Sequence, residues 1–208
     1  MTTTHPVHLR VEPAPRLQRI HVVIRLVLLA ALGTLGCSSL YWLLYLAIPA
    51  GVALAVSQGG SERYLAESAP RVARALRWLA GAYAYLWLLT DELPSTAPNA
   101  ERPSPIALEI EFGGTPTVGS ALLRLVYSLP ALVLLSILSF AATILWVVAA
   151  IWILVAEHAP AGLADFFALT LRYQFRLIAY HLSLVDRYPS LVSESSYTSR
   201  SDQLREPA

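Results

Sequence analysis

Charge disappears twice along this chain. No Asp, Glu or Arg occurs between Arg25 and Glu62, a run of 36 residues, or between Arg124 and Glu157, a run of 32. Both runs exceed the ~18 apolar residues that mark a membrane-span candidate. A single charge in hydrocarbon costs a few kcal/mol, so gaps of this length point to lipid. Each run is too long for one straight span across a core of about 30 Å, yet two full spans with a turn would need about 44 residues. The lengths therefore predict a hairpin of short or tilted helices in each run. Small, hydroxylated residues place the turns at Gly36-Cys37-Ser38-Ser39 and at Ser136 to Ser139.

Outside these runs the pattern changes period. Val7, Leu9 and Val11 alternate with His8, Arg10 and Glu12, and Ile106, Leu108, Ile110 and Phe112 alternate with Ala107, Glu109 and Glu111. Both segments predict short half-buried strands, which should pair antiparallel. The stretches from Pro70 to Thr90 and from Gly162 to Val185 mix Arg71, Arg74, Arg77, Arg172 and Arg176 with Trp, Tyr and Phe. Arginine beside aromatic residues next to a span predicts amphipathic helices lying at the membrane surface, and these five arginines are the candidate contacts to lipid headgroups or to a partner. Asp165, Arg172, Arg176 and Ser183 fall on one face of the second helix. Thr96 to Ser104, with Pro98 and Pro103, predicts a linker, and the serine-rich stretch from Leu191 a disordered tail.

The pattern also repeats. Arg25-Leu26-Val27 matches Arg124-Leu125-Val126, and Pro6 to Glu12 matches Pro105 to Glu111, both at an offset of 99. Leu76-Arg77, Ala84-Tyr85, Asp91 and Pro94-Ser95 match Leu171-Arg172, Ala179-Tyr180, Asp186 and Pro189-Ser190 at an offset of 95. One four-residue deletion inside the apolar run accounts for both offsets. The expected organisation is a first membrane repeat unit at 1–95, a linker at 96–104, a second unit at 105–190 and a tail at 191–208. The expected fold class is an all-α integral membrane protein. Each of its two tandem repeats holds a short strand, a transmembrane helical hairpin and an amphipathic interfacial helix, and a pseudo-two-fold axis along the membrane normal relates them.

Composition narrows the class. Of 208 residues 56% are hydrophobic and only 14% charged, against about a quarter charged in soluble domains. The net charge of +1 gives no basis for nucleic-acid binding, and one cysteine, Cys37, makes neither an internal disulfide nor a zinc site. All fifteen basic residues are arginine. If each run crosses the membrane once, six arginines face nine across it; if each run goes out and back, all lie on one side. The second arrangement fits the positive-inside pattern and puts both termini in the cytoplasm.

With the repeat in view, each half resembles the bacterial membrane family known as domain of unknown function 4389 (DUF4389). The second half carries the resemblance best, through Leu123-Arg124-Leu125, Pro130, the apolar run with Trp146 and Trp152, Ala159 to Phe166, Leu171-Arg172-Tyr173, Ala179-Tyr180 and Asp186-Arg187-Tyr188-Pro189. The first half is more divergent, ending in Asp91-Glu92-Leu93-Pro94. The resemblance implies a multi-pass membrane protein and supplies no activity.

Catalytic patterns do not stand out. There is no Gly-x-Ser-x-Gly, no phosphate-binding glycine loop, no His-Glu-x-x-His and no Cys-x-x-Cys. Gly113-Gly114-Thr115-Pro116 is a generic turn, and Glu157-His158 fits the point where an apolar run returns to water. No ionisable residue lies deep in either run, which argues against ion-coupled transport. No enzyme activity, cofactor, catalytic residue or metal site is expected. The expected role is a non-enzymatic accessory or scaffolding membrane subunit whose partners are the bilayer, including anionic phospholipid, or another membrane protein. The alternative is a small transport component with a path between the two units.

Overall fold

The computed structural model describes residues 5–34, 37–94 and 105–191, with side chains described outside 33–44. Of the turn expected at Gly36-Cys37-Ser38-Ser39, Gly36 lies outside the described residues and Cys37 to Ser39 open a helix; the linker 96–104 and the tail beyond Leu191 also lie outside the described residues. Two alternating segments form β1, Val7–Val11, and β2, Ile106–Ile110, paired antiparallel with Leu9 opposite Leu108. Glu12 N–H donates to Pro105 O and Glu111 N–H to Pro6 O, both at 2.9 Å, closing the two ends of the ribbon. Val7, Leu9, Val11 and Leu108 are buried while Arg10, Glu12 and Glu109 point outward, so alternation decides which face meets the helices.

The fold is mostly helical. In chain order the helices are α1 (Arg19–Thr34), α2 (Cys37–Arg63), a π-helical turn (Tyr64–Ser68), α3 (Ala69–Leu86), α4 (Val118–Tyr127), α5 (Leu129–Ala156) and α6 (Ala161–His181). α2 bends at Gly60, whose φ of 77° is open to glycine because it has no Cβ. α4 starts in a capping box: Ser120 N–H donates to Thr117 Oγ1 at 3.1 Å, and Thr117 N–H donates to Ser120 Oγ at 2.9 Å.

The second apolar run does not turn at Ser136 to Ser139. It breaks at Ser128, between α4 and α5, and then continues as one helix of 28 residues. Pro130 explains the position, since it has no N–H to continue the α4 ladder and suits the first turn of a new helix. The hydroxylated residues further on do not open a turn. Ser136 Oγ donates to Leu132 O and Thr143 Oγ1 to Ser139 O, each at 2.8 Å, so their polar groups are satisfied on the preceding helical turn. Among the described residues α5 is the one helix long and apolar enough to cross a membrane. Its outer face carries Val133, Ile137, Phe140, Ile144, Val147, Ile151 and Val155, all half or more exposed.

α3 and α6 lie between the ribbon and the more apolar helices. α3 packs on β2 and α6, and α6 packs on β1 and α5; α1 meets α5, and α2 meets α4. Alanines 69, 73, 80 and 84 on α3, 142, 149 and 150 on α5, and 164, 168 and 179 on α6 are buried, which lets the helices approach closely. α3 is amphipathic, with Arg71, Arg74 and Trp78 exposed. α6 departs from the expected surface helix: Phe167, Leu171, Tyr173, Phe175, Arg176 and Leu177 are all buried, so it is the central helix of the core. Its arginine-bearing face is covered by β1. Asp165 is exposed at its start, and Ser183 lies beyond its end.

Candidate functional site: two arginine clasps and the ribbon

α1 and α4 each carry an arginine on their inner side. The Arg25 side chain is fully buried and its Nη2 reaches Asp91 Oδ1 at 2.8 Å and Thr90 O at 2.5 Å. Its guanidinium carbon sits 4.3 Å from the centre of the Tyr85 ring. On α4, Arg124 pairs with Asp186, donates from Nη1 to Tyr180 O at 2.8 Å and Val185 O at 2.6 Å, and lies 4.6 Å from the Tyr180 ring centre. The arginines are separated by 99 residues, and the tyrosines and aspartates by 95, the offsets already present in the sequence. Each clasp ties the start of an apolar run to the segment that follows the later helix of the same half.

The acceptors are presented by a shared backbone device. Leu88 and Ser183, also 95 residues apart, adopt left-handed φ of 62° and 53°. Leu89 N–H then donates to Ala84 O at 3.0 Å, and Leu184 N–H to Ala179 O at 3.1 Å, which terminates α3 and α6 in the same way. The reversal aims the Thr90 and Val185 carbonyls and the two aspartates back at the arginines. Asp91 Oδ2 also accepts from Gln18 N–H at 2.6 Å, and Asp186 Oδ2 from Thr115 N–H at 3.0 Å. Each carboxylate therefore both neutralises a buried cation and holds the loop that enters that arginine's own helix.

Three of the five candidate headgroup arginines turn toward the ribbon. Arg77 Nε donates to Leu108 O at 3.2 Å, and Arg172 Nε to Leu9 O at 3.0 Å. Each crosses to the strand of the opposite half, and the two carbonyls belong to facing residues of the ribbon. Arg176 is buried, with Nη1 on Ser190 O at 2.8 Å and Nε 3.5 Å from Val7 O. Arg71 and Arg74 remain exposed on α3. Three of the candidates thus reach the strands, and one of them, Arg77, does so while still exposed on α3 beside Arg71 and Arg74.

His5 sits beside this clamp, buried, its Nδ1 accepting from Val7 N–H at 3.2 Å. Burial, and then the nearby Arg176 and Arg187 cations, lower its pKa to about 4. The unfolded chain holds the proton from about pH 6.5 downward while the folded chain refuses it until about 4. The stabilising contribution of neutral His5 is therefore complete above about pH 6.5 and is lost as pH falls toward 4. A His5→Gln variant should show a flatter dependence of melting temperature on pH than the parent between pH 7 and 4.5, checked by thermal unfolding in detergent.

With this geometry in place, comparison with known proteins gives one family. Residues 119–193 match the model of the family described as Domain of unknown function (DUF4389). The matched stretch contains Arg124, Tyr180 and Asp186, the whole of α5 and α6, and the Arg172 and Arg176 clamp. No curated protein and no solved structure matches the chain.

Proposed function

We propose, for a chain whose residues 119–193 belong to the DUF4389 family, that the protein is a multi-pass scaffolding or accessory subunit of the bacterial inner membrane. In this reading it is built from two tandem units, 1–95 and 105–190, and is not an enzyme. The observation that carries the proposal is how the charges are used. Arg25, Arg77, Arg124, Arg172 and Arg176 are engaged in internal contacts, while the outer faces of α1, α4 and α5 are apolar. Side chains arranged in this way close a rigid body against lipid and leave little for chemistry. The alanine-lined packing between helices favours the scaffold over a transport path.

An out-and-back course, made in the second half by α4 and α5 about the break at Ser128, is supported by where the ends of the apolar segments meet. Arg19 at the start of α1 pairs with Glu157 just after α5 at 3.1 Å, and Leu17 N–H donates to Glu157 O at 2.9 Å. The starts of α1 and α4 are held by Asp91 and Asp186, each just beyond a helix that packs on the ribbon. These contacts favour a single side for the ribbon, the loops and both termini, which we assign to the cytoplasm on arginine placement. Arg71 and Arg74 then face anionic headgroups or a partner from the surface of α3.

Neutralising Arg71 and Arg74 to glutamine together should leave insertion and melting temperature unchanged and reduce co-purified anionic phospholipid or a membrane partner. Lipid analysis and protein identification after mild-detergent purification read the outcome. An unchanged set of lipids and partners would remove these two arginines from any recognition role.

A further inference from the structure

Where α5 returns to the ribbon side, the structure holds a cavity of about 560 Å³, within the range of about 300–1,000 Å³ that small-ligand sites occupy. Its walls come from the loop before α1, the end of α3, and the α5–α6 turn with the first residues of α6. Two of its lining residues, Leu88 and Glu157, are non-glycine residues with left-handed φ, at 62° and 58°. Such positions are strained and persist where surrounding contacts fix them. Glu157 is fixed here by Arg19 and by Leu17 N–H. In the other half the corresponding loop is closed, since Gly114 lies so near the Ser183 carbonyl that a Cβ would overlap it. At the matching position of the first half stands Pro15, which lines the cavity.

We infer that this cavity binds the phosphoethanolamine headgroup of a membrane lipid, an inference that rests on the membrane reading above. The chemistry is mixed in sign. Arg16 supplies a guanidinium for a phosphate, and Asp165 and Glu157 supply carboxylates for a cation. His158 Nδ1 donates to Ala156 O at 2.8 Å, which holds the ring at the cavity wall. The two carboxylates suit a primary ammonium, which has three N–H donors. A quaternary ammonium has none and is held by cages of Trp, Tyr or Phe, which this lining lacks. The rim meets the end of α5, where Ile151 and Val155 are exposed and apolar, so acyl chains continue along α5 from a seated headgroup.

The test is native mass spectrometry of the full chain in mild detergent with equimolar phosphatidylethanolamine and phosphatidylcholine of the same acyl chains. The parent should retain the ethanolamine lipid about tenfold more than the choline lipid, the scale of one charge-assisted hydrogen bond. Asp165→Asn should bring the two lipids to near parity, whereas Arg16→Gln should lower retention of both without changing their ratio, because the phosphate is common to them; both residues are exposed, so melting temperature should be unchanged. Parity in the parent, a preference that survives Asp165→Asn, or undiminished retention of both lipids in Arg16→Gln overturns the assignment. Soluble glycerophosphoethanolamine should fail to displace the lipid at equal concentration, and displacement at that level would overturn a lipid as the source. Resistance of the same variants to carbonate extraction is scored separately, because its loss would speak against the membrane reading and not against the cavity.

Discussion

Asp91→Asn should cost the protein about 3–5 kcal/mol of stability, the loss expected when one partner of a buried ion pair is removed and the other charge stays buried. Arg25 is fully buried, so an amide at position 91 removes its counter-charge and leaves the cation only the Thr90 carbonyl and the Tyr85 ring. Asp186→Asn should cost less. The Asp186 side chain is 44% exposed against 16% for Asp91, and Arg124 keeps two backbone acceptors, Tyr180 O and Val185 O. The double variant Arg25→Met with Asp91→Asn should recover most of the loss, because an apolar residue of similar length needs no counter-charge. Thermal unfolding of all four proteins in one detergent checks the order: Asp91→Asn lowest, Asp186→Asn intermediate, double variant near the parent. Equal losses for the two aspartate variants would show that burial does not set the cost.

Among the described glycines, Gly114→Ala should be the most damaging substitution. A Cβ at Gly114 would overlap the Ser183 carbonyl and would lie 3.2 Å from the carbonyl carbon and oxygen of Leu184, all backbone atoms that cannot rotate away. The adjoining hydrogen bonds, from Gly113 and Gly114 N–H to Leu184 O at 3.3 and 3.2 Å, hold the two segments at that distance. Overpacking of this kind costs typically about 1–3 kcal/mol. Gly113→Ala is the control, since a Cβ there meets nothing within 4 Å. It should stay within about 0.5 kcal/mol of the parent, as surface changes usually do. Melting temperatures of the two variants separate close approach at one position from any general need for glycine in the turn.

These two results bear on what the chain's pattern can reveal. Alternation at 7–11 and 106–110 leads directly to the ribbon, because a strand with one buried face has little freedom of register. The absence of charge from the apolar runs leads to the helices and to α5 as a span candidate. Arg25, Asp91, Arg124 and Asp186 are visible as recurring residues, yet their pairing bridges 66 and 62 positions and depends on the left-handed residues Leu88 and Ser183. Neither of those is a glycine, so the sequence carries no mark of the reversal. Arg172 and Arg176 sit among aromatic residues like interfacial arginines, and composition does not distinguish a guanidinium aimed at phosphate from one aimed at a strand carbonyl. The break at Ser128 was legible in Pro130, a stronger constraint than the serines at 136 and 139, whose hydroxyls are absorbed by the helix. The closed loop at Gly114 depends on a neighbour 69 residues away and has no local sign.

The central claim is that both apolar runs enter and leave the membrane on the same side. Single cysteines at Ser61, Asn99 and Ser195 in a Cys37→Ser background test it, with an impermeant thiol reagent applied to intact cells and then to opened cells. Ser61 lies near the end of α2, and positions 99 and 195 lie outside the described residues. The out-and-back course predicts that all three stay unlabelled in intact cells and become labelled when the cells are opened. Labelling of Asn99→Cys in intact cells, with Ser195→Cys protected, would mean that each run crosses once, and would contradict the account.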